Sequence, residues 1–196
     1  AHRAGIVHRD IKPDNIMLTT GEDGSLRVKI LDFGIAKMPV QSGGQLTQAG
    51  VIFGTPEYMA PEQVMTTQVD ERADLYAVGT ILWWMLRGSE PFAAEGQMEL
   101  LNQKLSKTAP VLQAIDPDRF PETLSRFLAR ALEREPSARF ASALDMADTL
   151  ELLDLVPGRK RSGQRSAALR GVGRAIGGFG FLFVRVWRWT RTHLAA

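Results

Sequence analysis

The chain has 196 residues, room for one domain or a domain with a tail, and its 44% hydrophobic content supports a packed core. It has no cysteine, which excludes disulfides, thiolate zinc sites and a cysteine nucleophile and fits a cytoplasmic protein. The net charge of +2 conceals an asymmetry: residues 1–157 hold 15 Lys/Arg against 22 Asp/Glu, a net of −7, whereas residues 158–196 hold 9 Lys/Arg and no acid.

Ala1-His2-Arg3-Ala4-Gly5-Ile6-Val7 reads as the last turn of a helix, entered in mid-pattern and without a methionine, so a piece of a longer chain is expected. The next eight residues, His8-Arg9-Asp10-Ile11-Lys12-Pro13-Asp14-Asn15, put a carboxylate, an ammonium and an amide in one short loop. Such a set can deprotonate a hydroxyl, steady a transferring phosphoryl group and hold a divalent cation. Ile16-Met17-Leu18 and Leu26 to Ile30 predict two short strands around a turn containing Asp23-Gly24. Leu26, Val28 and Ile30 alternate with Arg27 and Lys29, so one face of this hairpin should be buried. Its ends carry the Asp10 loop on one side and Asp32-Phe33-Gly34 on the other.

From Asp32 to Glu62 the pattern is that of a loop, with Gly43-Gly44 and little periodicity. Asp70 to Arg87 predicts a helix that is apolar on nearly every face and therefore buried, stopped by Gly88. Leu124, Phe127, Leu128, Ala131 and Leu132 keep the spacing of an amphipathic helix entered through Pro121. Another helix is expected from Ser142, with Asp145 as a weak capping box, to about Leu153, and the domain should end near Pro157-Gly158.

In the tail, Arg159-Lys160-Arg161, Arg165, Arg170 and Arg174 precede an uncharged run from Ala175 to Val184. That run is too short to cross a bilayer, which takes about 20 residues. Wound as a helix, the stretch from Phe179 to Arg191 gathers Phe179, Leu182, Phe183, Val186 and Trp189 on one side and Arg185, Arg188 and Arg191 on the other, although Phe181 and Val184 break the division. The first expectation is a membrane surface or an anionic partner. A disordered tail or a helix docked on the domain is the alternative, a degenerate spanning segment comes last, and nucleic acid is not expected.

Taken together and in this order, His8 to Asn15, Asp32-Phe33-Gly34 and Gly54-Thr55-Pro56-Glu57-Tyr58-Met59-Ala60-Pro61-Glu62 resemble the catalytic loop, metal-binding loop and substrate-side anchor of the eukaryotic-like, bacterial-type Ser/Thr protein kinases. Any one of these residues alone would more often be a solvated loop charge; the ordered set is not explained that way. The resemblance covers about residues 1–155. It implies an α+β, predominantly α, protein-kinase-like fold: the large (C-terminal) lobe with a small β-hairpin, and the N-terminal lobe absent. The Gly-rich strand pair, strand lysine and helix glutamate of the family have no room before His8, and Gly177-Gly178-Phe179-Gly180 lacks a hairpin and a following lysine. The expected division is a partial kinase domain over 1–157 and a basic, aromatic tail over 158–196.

The resemblance implies roles. Asp10 would orient and deprotonate the substrate hydroxyl, and Lys12 would sit on the γ-phosphate of ATP, with Thr55 against both of them. Asn15 and Asp32 would hold Mg²⁺, or Mn²⁺ in its place. Arg9 beside Asp10 implies activation by phosphorylation, with Thr47 the first site to consider and Ser42 and Thr55 weaker ones. Glu62 would pair with Arg139, and Asp74 would hold the catalytic-loop backbone, both as structural supports.

The function expected is transfer of the γ-phosphate of ATP to Ser/Thr hydroxyls of a protein substrate, with dimerisation for trans-autophosphorylation a further possibility. The chain would be cytoplasmic, with membrane association through its tail, and inactive by itself without the ATP-gripping lobe. The rival expectation is a non-catalytic binding or scaffold module derived from a kinase lobe. A module released from catalysis has no need to keep Asp10, Lys12, Asn15 and Asp32 together, which favours the enzyme.

Overall fold

The computed structural model describes residues 1–33, 54–116 and 120–153. Helices predominate, with one two-stranded antiparallel sheet. After a 3₁₀ turn at His2–Ala4 and another at Pro13–Asn15, β1 (Ile16–Thr20) and β2 (Leu26–Ile30) form the hairpin. Six helices follow: α1 (Glu62–Met65), α2 (Arg72–Arg87), α3 (Gln97–Ser106), α4 (Leu112–Ile115), α5 (Glu122–Ala131) and α6 (Ala143–Leu152).

The hairpin register pairs Ile16 with Ile30 and Thr20 with Leu26. Its turn is closed by Gly24, whose φ of 71° suits a residue without a Cβ, and by Asp23, whose Oδ1 accepts from both Ser25 N–H and Ser25 O–H. One further rung, Leu31 N–H to Asn15 C=O at 2.8 Å, extends the pairing past Ile16. That rung holds the ends of the two flanking loops together, Asn15 on one side and the residue before Asp32 on the other. Leu26, Val28 and Ile30 are the half-buried residues of β2, as their alternation with Arg27 and Lys29 requires.

The core is built around α2. All residues from Ala73 to Trp83 are buried, polar ones included, which is what an all-round apolar helix surrounded by other elements must do. α5 packs on it closely enough that a Cβ added to Gly79 would stand 2.9 Å from the Ala131 Cβ. Gly88, at φ 73°, ends α2 and returns its N–H to Trp84 C=O at 2.7 Å. Trp83 is buried and its Nε1 has no hydrogen-bond partner among the described residues, while Trp84 is exposed. α6 starts as its capping residues predict, with Ser142 Oγ accepting from Asp145 N–H at 3.1 Å.

Two predicted elements differ in detail. β1 runs two residues beyond Leu18, and α2 begins at Arg72 where a start at Asp70 was expected. Asp70 lies outside the helix and accepts the Arg72 N–H at 2.9 Å. α1, α3 and α4 carry no clear periodic signal in the sequence. Among the described residues, no helix is long and apolar enough to cross a membrane.

Candidate active site

The loop from His8 to Asn15 is fixed by the buried helix beneath it. Asp74, near the start of α2 and 1% exposed, accepts His8 N–H and Arg9 N–H, each at 2.8 Å, one on each carboxylate oxygen. His2 Nε2 also contacts Asp74 Oδ2 at 2.8 Å. A buried carboxylate with several donors is the arrangement in which its charge is tolerated. His8 adds a strut of its own. Its Nδ1 accepts Asp10 N–H at 3.3 Å and its Nε2 donates to Leu31 C=O at 2.9 Å, so these partners require the neutral tautomer protonated at Nε2. The His8 ring meets Phe33 at 4.8 Å between centroids. Phe33 is otherwise exposed.

Three expected residues of the loop come together with Thr55 of the later segment. The Asp10 carboxylate accepts from Asn15 Nδ2 at 3.2 Å and lies 3.6 Å from Lys12 Nζ. Lys12 Nζ donates to Thr55 Oγ1 at 3.2 Å, across 43 residues of sequence. Asn15, itself buried, gives a second N–H to Asp10 C=O at 2.8 Å. Both amide hydrogens of Asn15 thus point at Asp10, which leaves its Oδ1 as the atom to offer a cation. Asp32 is exposed and has φ 50°, a left-handed backbone conformation uncommon outside glycine. One amide oxygen and one carboxylate are ligands of the hard type that Mg²⁺ takes alongside substrate phosphates and water.

The segment from Gly54 to Glu62 is anchored at its far end. Arg139 is buried and grips Glu62 in a bidentate pair, both N···O distances 2.7 Å. Lys104 on α3 holds the middle. It is 2% exposed and donates to Glu57 C=O at 2.6 Å and Met59 C=O at 2.9 Å. Burial brings its pKa down from 10.5 to about 7, against a smaller opposing pull from the Glu57 carboxylate. Gln63 joins this segment to the catalytic loop, accepting Ala60 N–H at 2.9 Å and donating to Arg9 C=O at 3.0 Å.

Sequence reasoning missed His2, Gln63 and Lys104, because none belongs to a motif and each takes its meaning from a partner far along the chain. Arg9 borders a surface hollow of about 590 Å³ with Glu62, Thr66, Val69 and Pro136. Thr47, Ser42, Gly34 and the tail from 158 to 196 lie outside the described residues.

With this geometry in view, the comparison with known proteins is direct. The model of the protein kinase domain matches residues 1–150. The chain belongs to the protein kinase family. Among its relatives in that family are three bacterial serine/threonine kinases. Pkn3 of Myxococcus xanthus is 40% identical over 171 residues, which is 86% of this chain and 31% of that kinase. Pkn1 of the same organism is 43% identical over 152 residues, 78% of this chain and 22% of Pkn1. PknL of Mycobacterium tuberculosis is 37% identical over 178 residues, 86% of this chain and 43% of PknL. The chain therefore spans less than half the length of these kinases, and they place it on the bacterial serine/threonine branch.

Proposed function

We propose that the described residues form the large lobe of a bacterial Ser/Thr kinase, with the domain ending near residue 157, and that the whole protein moves the γ-phosphate of ATP onto Ser or Thr hydroxyls of other proteins. The observation that carries this reading is the Lys12 ammonium, set 3.2 Å from Thr55 Oγ1 and 3.6 Å from the Asp10 carboxylate. One ammonium thus reaches both the Asp10 carboxylate and a hydroxyl 43 residues along the chain, the kind of fixed positioning on which phosphoryl transfer relies.

Asp10 receives the substrate hydroxyl and takes its proton, its place kept by Asn15 and Lys12. Lys12 offsets negative charge on the phosphoryl oxygens as it moves between donor and acceptor. Thr55, bound to Lys12, shapes the wall against which a Ser or Thr hydroxyl lies. Asn15 Oδ1 and the Asp32 carboxylate hold Mg²⁺, which supplies charge neutralisation for the ATP phosphates. Arg9 receives a phosphothreonine, with Thr47 its proposed source. The tail binds a membrane surface or another anionic partner.

The test is phosphate transfer by the full-length parent protein from labelled Mg²⁺-ATP, followed by analysis of which amino acid carries the label. Label on serine or threonine that disappears with EDTA is expected. Label on tyrosine alone, or no transfer above a heat-killed control, would overturn the reading.

A further inference from the structure

Arg9 has φ 64°, a left-handed backbone conformation that residues with a Cβ adopt only when held there. The peptide plane joining it to Asp10 is tied at both polar ends. The N–H of that plane, from Asp10, goes to His8 Nδ1 at 3.3 Å; the C=O, from Arg9, accepts from Gln63 Nε2 at 3.0 Å. Fixing a peptide plane at both ends fixes ψ of Arg9 and φ of Asp10, and so the direction in which the Asp10 carboxylate leaves the backbone. The preceding N–H, that of Arg9, is held by Asp74 Oδ1 at 2.8 Å.

The other half of the Gln63 amide faces the substrate-side segment, where Oε1 accepts Ala60 N–H at 2.9 Å. Its orientation follows from its partners: reversed, the amide would set donor against donor and acceptor against acceptor. One side chain, 54 residues from Arg9 along the chain, therefore connects two loops. One of those loops carries Asp10 and the other carries Thr55.

We propose that Gln63 is a positioning residue for phosphoryl transfer, coupling the substrate-side segment to the Asp10 carboxylate through the Arg9 carbonyl. The role rests on the kinase reading given above. It differs from a local turn-closing role, which the Ala60 bond alone would satisfy.

Two variants separate the bonds. Gln63→Glu keeps an acceptor for Ala60 N–H but, when ionised, has no donor for the Arg9 carbonyl; once protonated it regains an O–H. A free Glu titrates near pH 4.3, and partial burial against a carbonyl raises that value. Gln63→Met removes both bonds at similar size.

The experiment is steady-state kinetics of the full-length parent kinase with a peptide substrate, from about pH 5.5 to about pH 8.5, alongside a thermal melt of each variant. At the alkaline end both variants should lose about tenfold or more in kcat, with KM for ATP within about twofold of wild type. Towards the acid end, the ratio of Gln63→Glu to wild type should rise, while the Gln63→Met ratio stays flat.

Should Gln63→Glu melt below the assay temperature, Gln63→Lys takes its place. It keeps a donor for Arg9 and should retain kcat better than Gln63→Met. Wild-type kcat in Gln63→Glu at alkaline pH, or equal and pH-independent losses in all variants, would overturn the proposal. An inactive wild type would overturn the kinase reading itself, and this role with it.

Discussion

A guanidinium has five N–H donors, and Arg139 uses all of them: two to the Glu62 carboxylate and one each to the carbonyls of Arg72, Glu133 and Arg134. Its side chain is fully buried against the Tyr76 ring, 4.9 Å away. Glu62→Gln should therefore cost about 3–5 kcal/mol, since a buried charge loses the carboxylate it is paired with. Urea unfolding measures this, and a loss below about 1 kcal/mol would show that solvent reaches the pair. Lys104 gives a second prediction. Its folded pKa, about 7, lies below the ordinary 10.5, so between those values the unfolded chain binds more protons and stability should rise with pH. Below about pH 7 both states are protonated and this contribution is flat. Burial raises Tyr58 and Tyr76 above their ordinary 10.0, so a comparison kept below about pH 9.5 isolates the lysine. Lys104→Met should lack the gain in urea-measured stability that the wild type shows over this window; equal slopes would contradict it. At this scale the motif residues were legible because their order along the chain is distinctive. His2, Gln63 and Lys104 were not, since a lone His, Gln or Lys is silent until its partner is known.

Among the elements, α2 was the most legible, because nearly every position in it is apolar. α3 was the least. Its inward positions are Leu100, Leu101 and Lys104, so the stripe that would mark a helix is broken by a charge. That lysine is buried because it serves two backbone carbonyls of the substrate-side segment, and function of this sort erases the hydrophobic pattern. The hairpin was legible from its alternation and its Asp-Gly turn, while the two extra residues of β1 were hidden by polar Thr19 and Thr20. The closeness of α2 and α5 yields a prediction at this scale. A methyl at Gly79 would stand 2.9 Å from Ala131 Cβ and 3.3 Å from Leu132 Cδ2, so Gly79→Ala must push the helices apart. The expected loss is about 1–3 kcal/mol despite the better helix propensity of alanine. Stability equal to or above wild type would mean that the helices yield freely.

For the whole molecule, the matched domain covers residues 1–150 and leaves the basic tail beyond it. The sequence from 1 to 196 shows no Gly-rich motif before His8 that matches the family's ATP-gripping loop, and among the described residues the one hairpin carries no such motif. Purified alone, this chain should fall far below the ordinary kinase rate of about 1–100 s⁻¹, and transfer within that range would contradict the two-lobe account. The loops that meet around Asp10 were legible at this scale because their motifs occur in the order that the protein kinase family carries. The coupling between those loops was not, because it runs through side chains whose partners lie dozens of residues away. The central claim is that Asp10, held by Asn15 and Lys12, carries the reaction. The most direct measurement is the phosphate-transfer rate of the full-length parent kinase with Asp10→Asn, at saturating Mg²⁺-ATP and peptide. A fall of about 10²-fold to 10⁴-fold, with the fold intact by circular dichroism, is the predicted result. A rate within about threefold of wild type would show that this loop is not where the hydroxyl loses its proton.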